Sequence, residues 1–167
     1  MSGTINNLNF NSEKITLNFN EYIELKDINE QLIVSPPLER KDYKIIPENT
    51  VTKKVEIEIK NKLRENSTFT FNFGSSIVDY NEGNPLPFFN YTFSTGDYID
   101  SLKISGFVKD AYEIDSLDFV SIHLYPIDSV FNDSTIYNQK PFYVGNTLDS
   151  IYFDLNSLAP VSYTHLR

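Results

Sequence analysis

Apolar and polar residues alternate strictly in one segment of the chain after another, and no other feature narrows its fold so far. Ile15, Leu17 and Phe19 alternate with Thr16 and Asn18, Val55, Ile57 and Ile59 with Glu56 and Glu58, Phe69, Phe71 and Phe73 with Thr70 and Asn72, and Phe89, Tyr91 and Phe93 with Asn90 and Thr92. A period of two puts the apolar side chains on one face of a strand and the polar ones on the other. Shorter apolar runs at Leu32 to Val34 and Tyr43 to Ile46 are bounded by Pro36, Pro37 and Pro47, residues that suit strand ends and sheet edges. A helix would need apolar residues at three- and four-residue spacing over about ten residues, with caps, and the chain has no such stretch. The expected class is all-β, an antiparallel sandwich with one face of each sheet wet.

At Ser94-Thr95-Gly96-Asp97 the alternation stops, and it resumes at Leu102, Ile104, Gly106 and Val108. This predicts a first β-sandwich over residues 1–96, a linker at 97–101 and a second, partial β-sandwich over 102–160. In the second segment Phe119 to Tyr125, Pro141 to Val144 and Ile151 to Leu155 read as strands, and the polar stretch between Tyr125 and Lys140 as a long loop. A unit this short buries a small share of its surface.

Composition excludes several classes of function. The 167 residues carry 14 Lys and Arg against 23 Asp and Glu, a net charge of -9, which disfavours nucleic acid, because phosphate affinity needs clustered cations. Without cysteine there is no disulfide, thiol nucleophile or thiolate metal site. The longest apolar runs fall far short of the roughly 20 residues that span a bilayer, so no membrane span is expected. No signal peptide pattern stands near Met1, so the chain is expected to be cytosolic or a fragment that has lost an export signal.

Leu63-Arg64-Glu65-Asn66-Ser67-Thr68-Phe69-Thr70-Phe71, Ile77-Val78-Asp79, Gly83-Asn84-Pro85-Leu86 and Tyr91-Thr92-Phe93-Ser94-Thr95-Gly96 together resemble the second half of a bacterial Ig-like domain of the SbsA type. Asn18-Phe19-Asn20-Glu21 resembles that family's earlier Phe-x-Glu strand end. Two departures stand out. Phe69 occupies a position where many Ig-like domains carry a tyrosine whose hydroxyl bonds back to the chain, so that corner bond is expected to be missing, and no first strand is visible before Asn11. Leu102-Lys103-Ile104-Ser105-Gly106-Phe107-Val108 and Tyr152 to Pro160 are similar to the carboxypeptidase-regulatory or transthyretin-like sandwich, without the glycine that family places after Pro160. Val161 to Arg167 resembles neither family and is similar to translated adapter read-through, so an artificial tail is expected at 161–167. A second sandwich closing at Pro160 would leave an unpaired edge and uncovered apolar positions near Phe153 and Leu155.

The tandem resembles large surface or periplasmic lipoproteins of Gram-negative bacteria, in which both modules are non-catalytic. The resemblance implies an exported structural or interaction module, with no cofactor and with a protein or cell-envelope partner. The alternatives are a carbohydrate- or protein-binding sandwich, which would need exposed aromatics converging on one surface, and an accessory domain of an enzyme whose catalytic part lies outside this chain. Asp-Ser followed by an apolar residue or Thr, repeated five times, resembles an O-glycosylation sequon of exported bacterial proteins and makes Ser134 the candidate acceptor.

Other candidate sites fare less well on their chemistry. Asp79, Asn81 and Asp97 could offer oxygens to a hard cation, but position 12 counted from Asp79 is Asn90 rather than a bidentate acid. Asp and Asn in a glycine-containing turn are accounted for by their own backbone bonds, so no metal is expected. His123 reads as a half-exposed strand residue. Gly74-Ser75-Ser76 lacks the nucleophile-elbow pattern, and no catalytic residue is assigned. Tyr80, Tyr98, Tyr112 and Tyr137 fall in turns or loops, as the aromatics available to a binding surface.

Overall fold

A computed structural model describes residues 5–48, 50–86, 89–109, 120–125, 132, 134–139, 141–148 and 152–160. The chain divides into two compact units, Met1–Val34 with Leu38–Ile99, and Ser35–Pro37 with Asp100–Arg167.

The strands of the first unit, with a helical turn α1 (Ile28–Gln31) between β2 and β3, are β1 (Ile5–Asn7), β2 (Lys14–Leu25), β3 (Ile33–Ser35), β4 (Tyr43–Ile46), β5 (Thr52–Ile59), β6 (Thr68–Asn72), β7 (Ile77–Asp79) and β8 (Asn90–Ser94). They form two four-stranded sheets in the orders β1-β8-β6-β3 and β4-β5-β2-β7. The alternation sets the register. Ile15 lies opposite Ile57 and Leu17 opposite Val55 in one sheet, while Phe69 lies opposite Phe93 and Phe71 opposite Tyr91 in the other. All eight are buried in one core shared by both sheets. Burying each such side chain contributes about 1.5–3 kcal/mol, and the rings add directional contacts: Phe69 and Phe93 stack at 5.6 Å, and Tyr43 meets Phe71 edge-on at 5.6 Å.

Two strands lie outside what the alternation predicts. β1 corrects the expectation of no strand before Asn11, and it pairs with β8 in parallel, Ile5 opposite Tyr91 and Asn7 opposite Phe93. β7 pairs antiparallel with the end of β2. Each has three residues, too few for a period of two to register.

Phe69 is buried and has no hydroxyl to tie the corner before β6. A threonine from the end of β8 does so instead. Thr95 Oγ1 donates to the Arg64 carbonyl at 2.7 Å and accepts the Ser67 N–H at 3.0 Å, and the Thr95 N–H reaches the Ser67 carbonyl at 3.1 Å.

The second unit contains β9 (Leu102–Phe107), β10 (Ser121–Leu124), β11 (Tyr143–Leu148) and β12 (Tyr152–Leu158), ordered β10-β11-β12-β9 with every pairing antiparallel. Phe153 and Leu155 are buried with Leu124, Tyr143 and Leu158, and Ile104, Val108, Ile122 and Phe142 pack against them. This corrects the expectation that Phe153 and Leu155 stand uncovered. Phe153 lies across Gly106, where an added Cβ would come within 2.9 Å of its ring, and Leu155 lies across Gly145 in the same way. The glycines leave the room that lets large neighbours fold over the sheet. β11 accordingly runs through Gly145 to Leu148, beyond the strand expected to end at Val144. Within the stretch expected to be a loop, Thr135–Asn138 forms a single helical turn, α2, whose Thr135 is buried. Phe119, Ile151 and the tail 161–167 lie outside the described residues.

Candidate binding groove

β2 starts as a regular strand and then loses step with its neighbour. From Asn18 to Ile23 it advances five residues while β5 advances two, Lys54 to Thr52. The surplus forms a bulge, which bends the strand and re-aims its side chains. On its other side β2 is paired by β7 only at Ile23, Glu24 and Leu25, and the Tyr80 N–H just past β7 donates to the Tyr22 carbonyl at 2.9 Å, so among the described residues no strand lies beside Lys14 to Glu21 on that flank.

A groove of about 540 Å³ opens there, lined by Leu17, Phe19, Ile23, Ile77, Leu86 and Phe89 with a polar rim of Asn18, Asn20, Glu21, Asp79 and Asn84. Leu17, Ile23 and Ile77 are buried core residues, and Phe19 and Phe89 make a tilted ring contact at 6.0 Å. Its size falls in the range of ligand-accepting clefts, about 300–1,000 Å³.

The rim is acidic for a structural reason. The β2–β7 register sets Asp79 opposite Ile23, which brings Asp79 and Glu21 together. Asp79 Oδ1 accepts the N–H groups of Asn81 and Glu82, both at 2.7 Å, and Gly83, at φ +73°, closes the turn by donating to the Asp79 carbonyl at 3.0 Å. The Glu82 N–H is the main influence holding the Asp79 carboxyl below its usual range. Glu21 moves the other way. Its hydrogen bond to Asp79, and then the charge of Asp79, raise its carboxyl above the usual range. Lys53, the cation whose charge is felt at Glu21, donates to the Asn20 carbonyl at 3.0 Å and sits 4.8 Å from the Tyr22 ring centroid.

The residues singled out from sequence divide around this groove. Asp79 is on its rim, with one carboxylate oxygen occupied by the turn. Asn81 and Asp97 are exposed and do not line it, and among the described residues no group of three or more His, Cys, Asp or Glu side chains is placed to hold a metal ion. Tyr80 and Tyr98 are exposed outside the groove, and Tyr137 is exposed on α2. Tyr112 lies outside the described residues. His123 is exposed on β10 with Ser121 Oγ 3.1 Å from its Nε2. Ser134 is exposed where α2 begins, its N–H bonded to Asn132 Oδ1 at 2.9 Å. The sequence reading gave Glu21 no role at a site, and the signal that could have found it is the Phe19-x-Glu21 strand end.

Among the described residues no helix is long and apolar enough to cross a membrane. No curated protein and no solved structure matches the chain. Residues 3–95 match the family described as the bacterial Ig-like domain, and this span holds both sheets of the first unit, the threonine-tied corner and the groove. With more than half of its length matched, the chain belongs to the bacterial Ig-like domain family.

Proposed function

We propose that this chain is a non-enzymatic structural and interaction module of an exported bacterial cell-envelope protein, one that spaces or docks a larger assembly. The observation that carries the reading is the aromatic-filled sandwich of the first unit, which makes a stiff body and leaves its connections and strand edges for contacts. Domains of this family are generally non-catalytic. The second unit fits the same role as a transthyretin-like module following the Ig-like one, and the resemblance of the tandem to envelope lipoproteins supports export. The exposed Ser134, in an Asp-Ser-Thr sequence, is consistent with glycosylation on the exported side.

Fractionation of the native host tests the reading. The protein is expected in the envelope fraction, with an intact mass above that of the bare chain and the added sugar mapping to Ser134. Recovery in the cytosol alone would sink export, and an unmodified mass from the envelope would remove the glycan.

A further inference from the structure

We propose that the groove beside the β2 bulge receives an extended segment of a protein partner, with apolar side chains set among Leu17, Phe19, Ile77 and Phe89 and a lysine or arginine seated on Glu21 and Asp79. Three independent features meet there. The flank of β2 from Thr16 to Asn18 has no strand beside it among the described residues, whereas Ser12 Oγ serves both the N–H and the C=O of Lys14 and the Tyr22 carbonyl accepts the Tyr80 N–H; alternate residues of a strand turn their N–H and C=O groups to each side, so an added strand can pair with that stretch. The groove floor is apolar and large enough for side chains of such a strand. The rim presents Glu21 and Asp79, with the charge of Glu82 also felt at Glu21, while the nearby Lys53 is engaged with Asn20 and Tyr22.

Charge selects the occupant. Two carboxylates within hydrogen-bonding reach of each other repel, and a cation set between them relieves that repulsion, which a lysine or arginine carried on an extended segment does while its neighbours fill the floor. A divalent ion suits the site less well, because Asp79 Oδ1 is already occupied by two backbone N–H groups. Protonating Glu21 removes the charge the cation would meet, so affinity weakens as pH falls through the raised range of that carboxyl. The proposal does not depend on where the protein resides.

The test is a nuclear magnetic resonance titration of the full, isotope-labelled chain with a capped heptapeptide of alternating valine and lysine. Saturable shifts are expected at residues 17–23 and 77–86, and the matching valine–glutamate peptide should not bind. Glu21→Gln, at an exposed position, should weaken binding about fivefold, near the upper end for an exposed ion pair, and Phe19→Ala should weaken it through the groove floor. Shifts scattered over other acidic turns, or unchanged affinity in Glu21→Gln, would overturn the proposal. So would shifts at residues 17–23 that grow with protein concentration in the absence of peptide, because the occupant would then be a second copy of this chain.

Discussion

Thr95 shows how one hydroxyl can take over a role usually given to a larger side chain. Its Oγ1 joins the Arg64 carbonyl to the Ser67 N–H, and Ser67 is buried, so losing the acceptor leaves a buried donor without that partner. Thr95→Val keeps the shape and removes the bond, and should cost about 1–2 kcal/mol. For a domain of this size each kcal/mol is worth about 4–8 °C in Tm, so thermal unfolding followed by tyrosine fluorescence would read the loss. An unchanged Tm would mean that the corner is held by its backbone bonds alone. The replacement of tyrosine was visible in the sequence as Phe69, but its substitute was not, because Thr95 comes from the far end of another strand. The same holds for the rim of the groove. Asp79 was legible as a turn residue from the Asp-x-Asn-x-Gly spacing, whereas its partnership with Glu21 exists only through the β2–β7 register.

At the scale of elements, legibility followed strand length. β2 and β5 each carry at least three alternating apolar positions, and β6 and β8 carry two each with Phe73 and Phe89 extending the pattern just beyond them, so all four were placed from sequence, while β1 and β7 have three residues apiece and leave no period to detect. The bulge in β2 was hidden for a related reason: its surplus residues break the pairing with β5, yet Ile23 and Leu25 stay on the buried side. In the second unit the glycines carried information that only packing explains. Gly106 sits opposite Phe153 in the β9–β12 ladder, and the ring occupies the space where a Cβ would stand, an arrangement in which an aromatic residue shields a strand glycine. Gly106→Val should push the ring away and destabilise the second unit by about 1–3 kcal/mol. Hydrogen exchange should then lose protection in β9 and β12 while β2 and β5 keep theirs; unchanged protection in β9 would show that Phe153 can be rehoused without cost.

For the whole molecule, the direction in which the chain enters and leaves each unit sets how that unit meets mechanical tension. In the first, β1 and β8 run in parallel, and the line continues through the Asn9 N–H to the Gly96 carbonyl at 2.8 Å and the Phe10 N–H to the Ser94 carbonyl at 2.9 Å. Pulling residue 5 away from residue 96 drags these strands lengthwise, so the bonds are strained together and must fail together. In the second, β9 and β12 are antiparallel with Leu102 opposite Leu158, so the same pull peels their ladder one bond at a time from that end. Single-molecule stretching of the full chain is therefore expected to give two ruptures, the second unit first at low force and the Ig-like unit later at a higher one. Rupture in the reverse order would refute that assignment. Such a pair would work as a graded tether, with the β9–β12 ladder yielding under modest load while the sheared one keeps the groove intact.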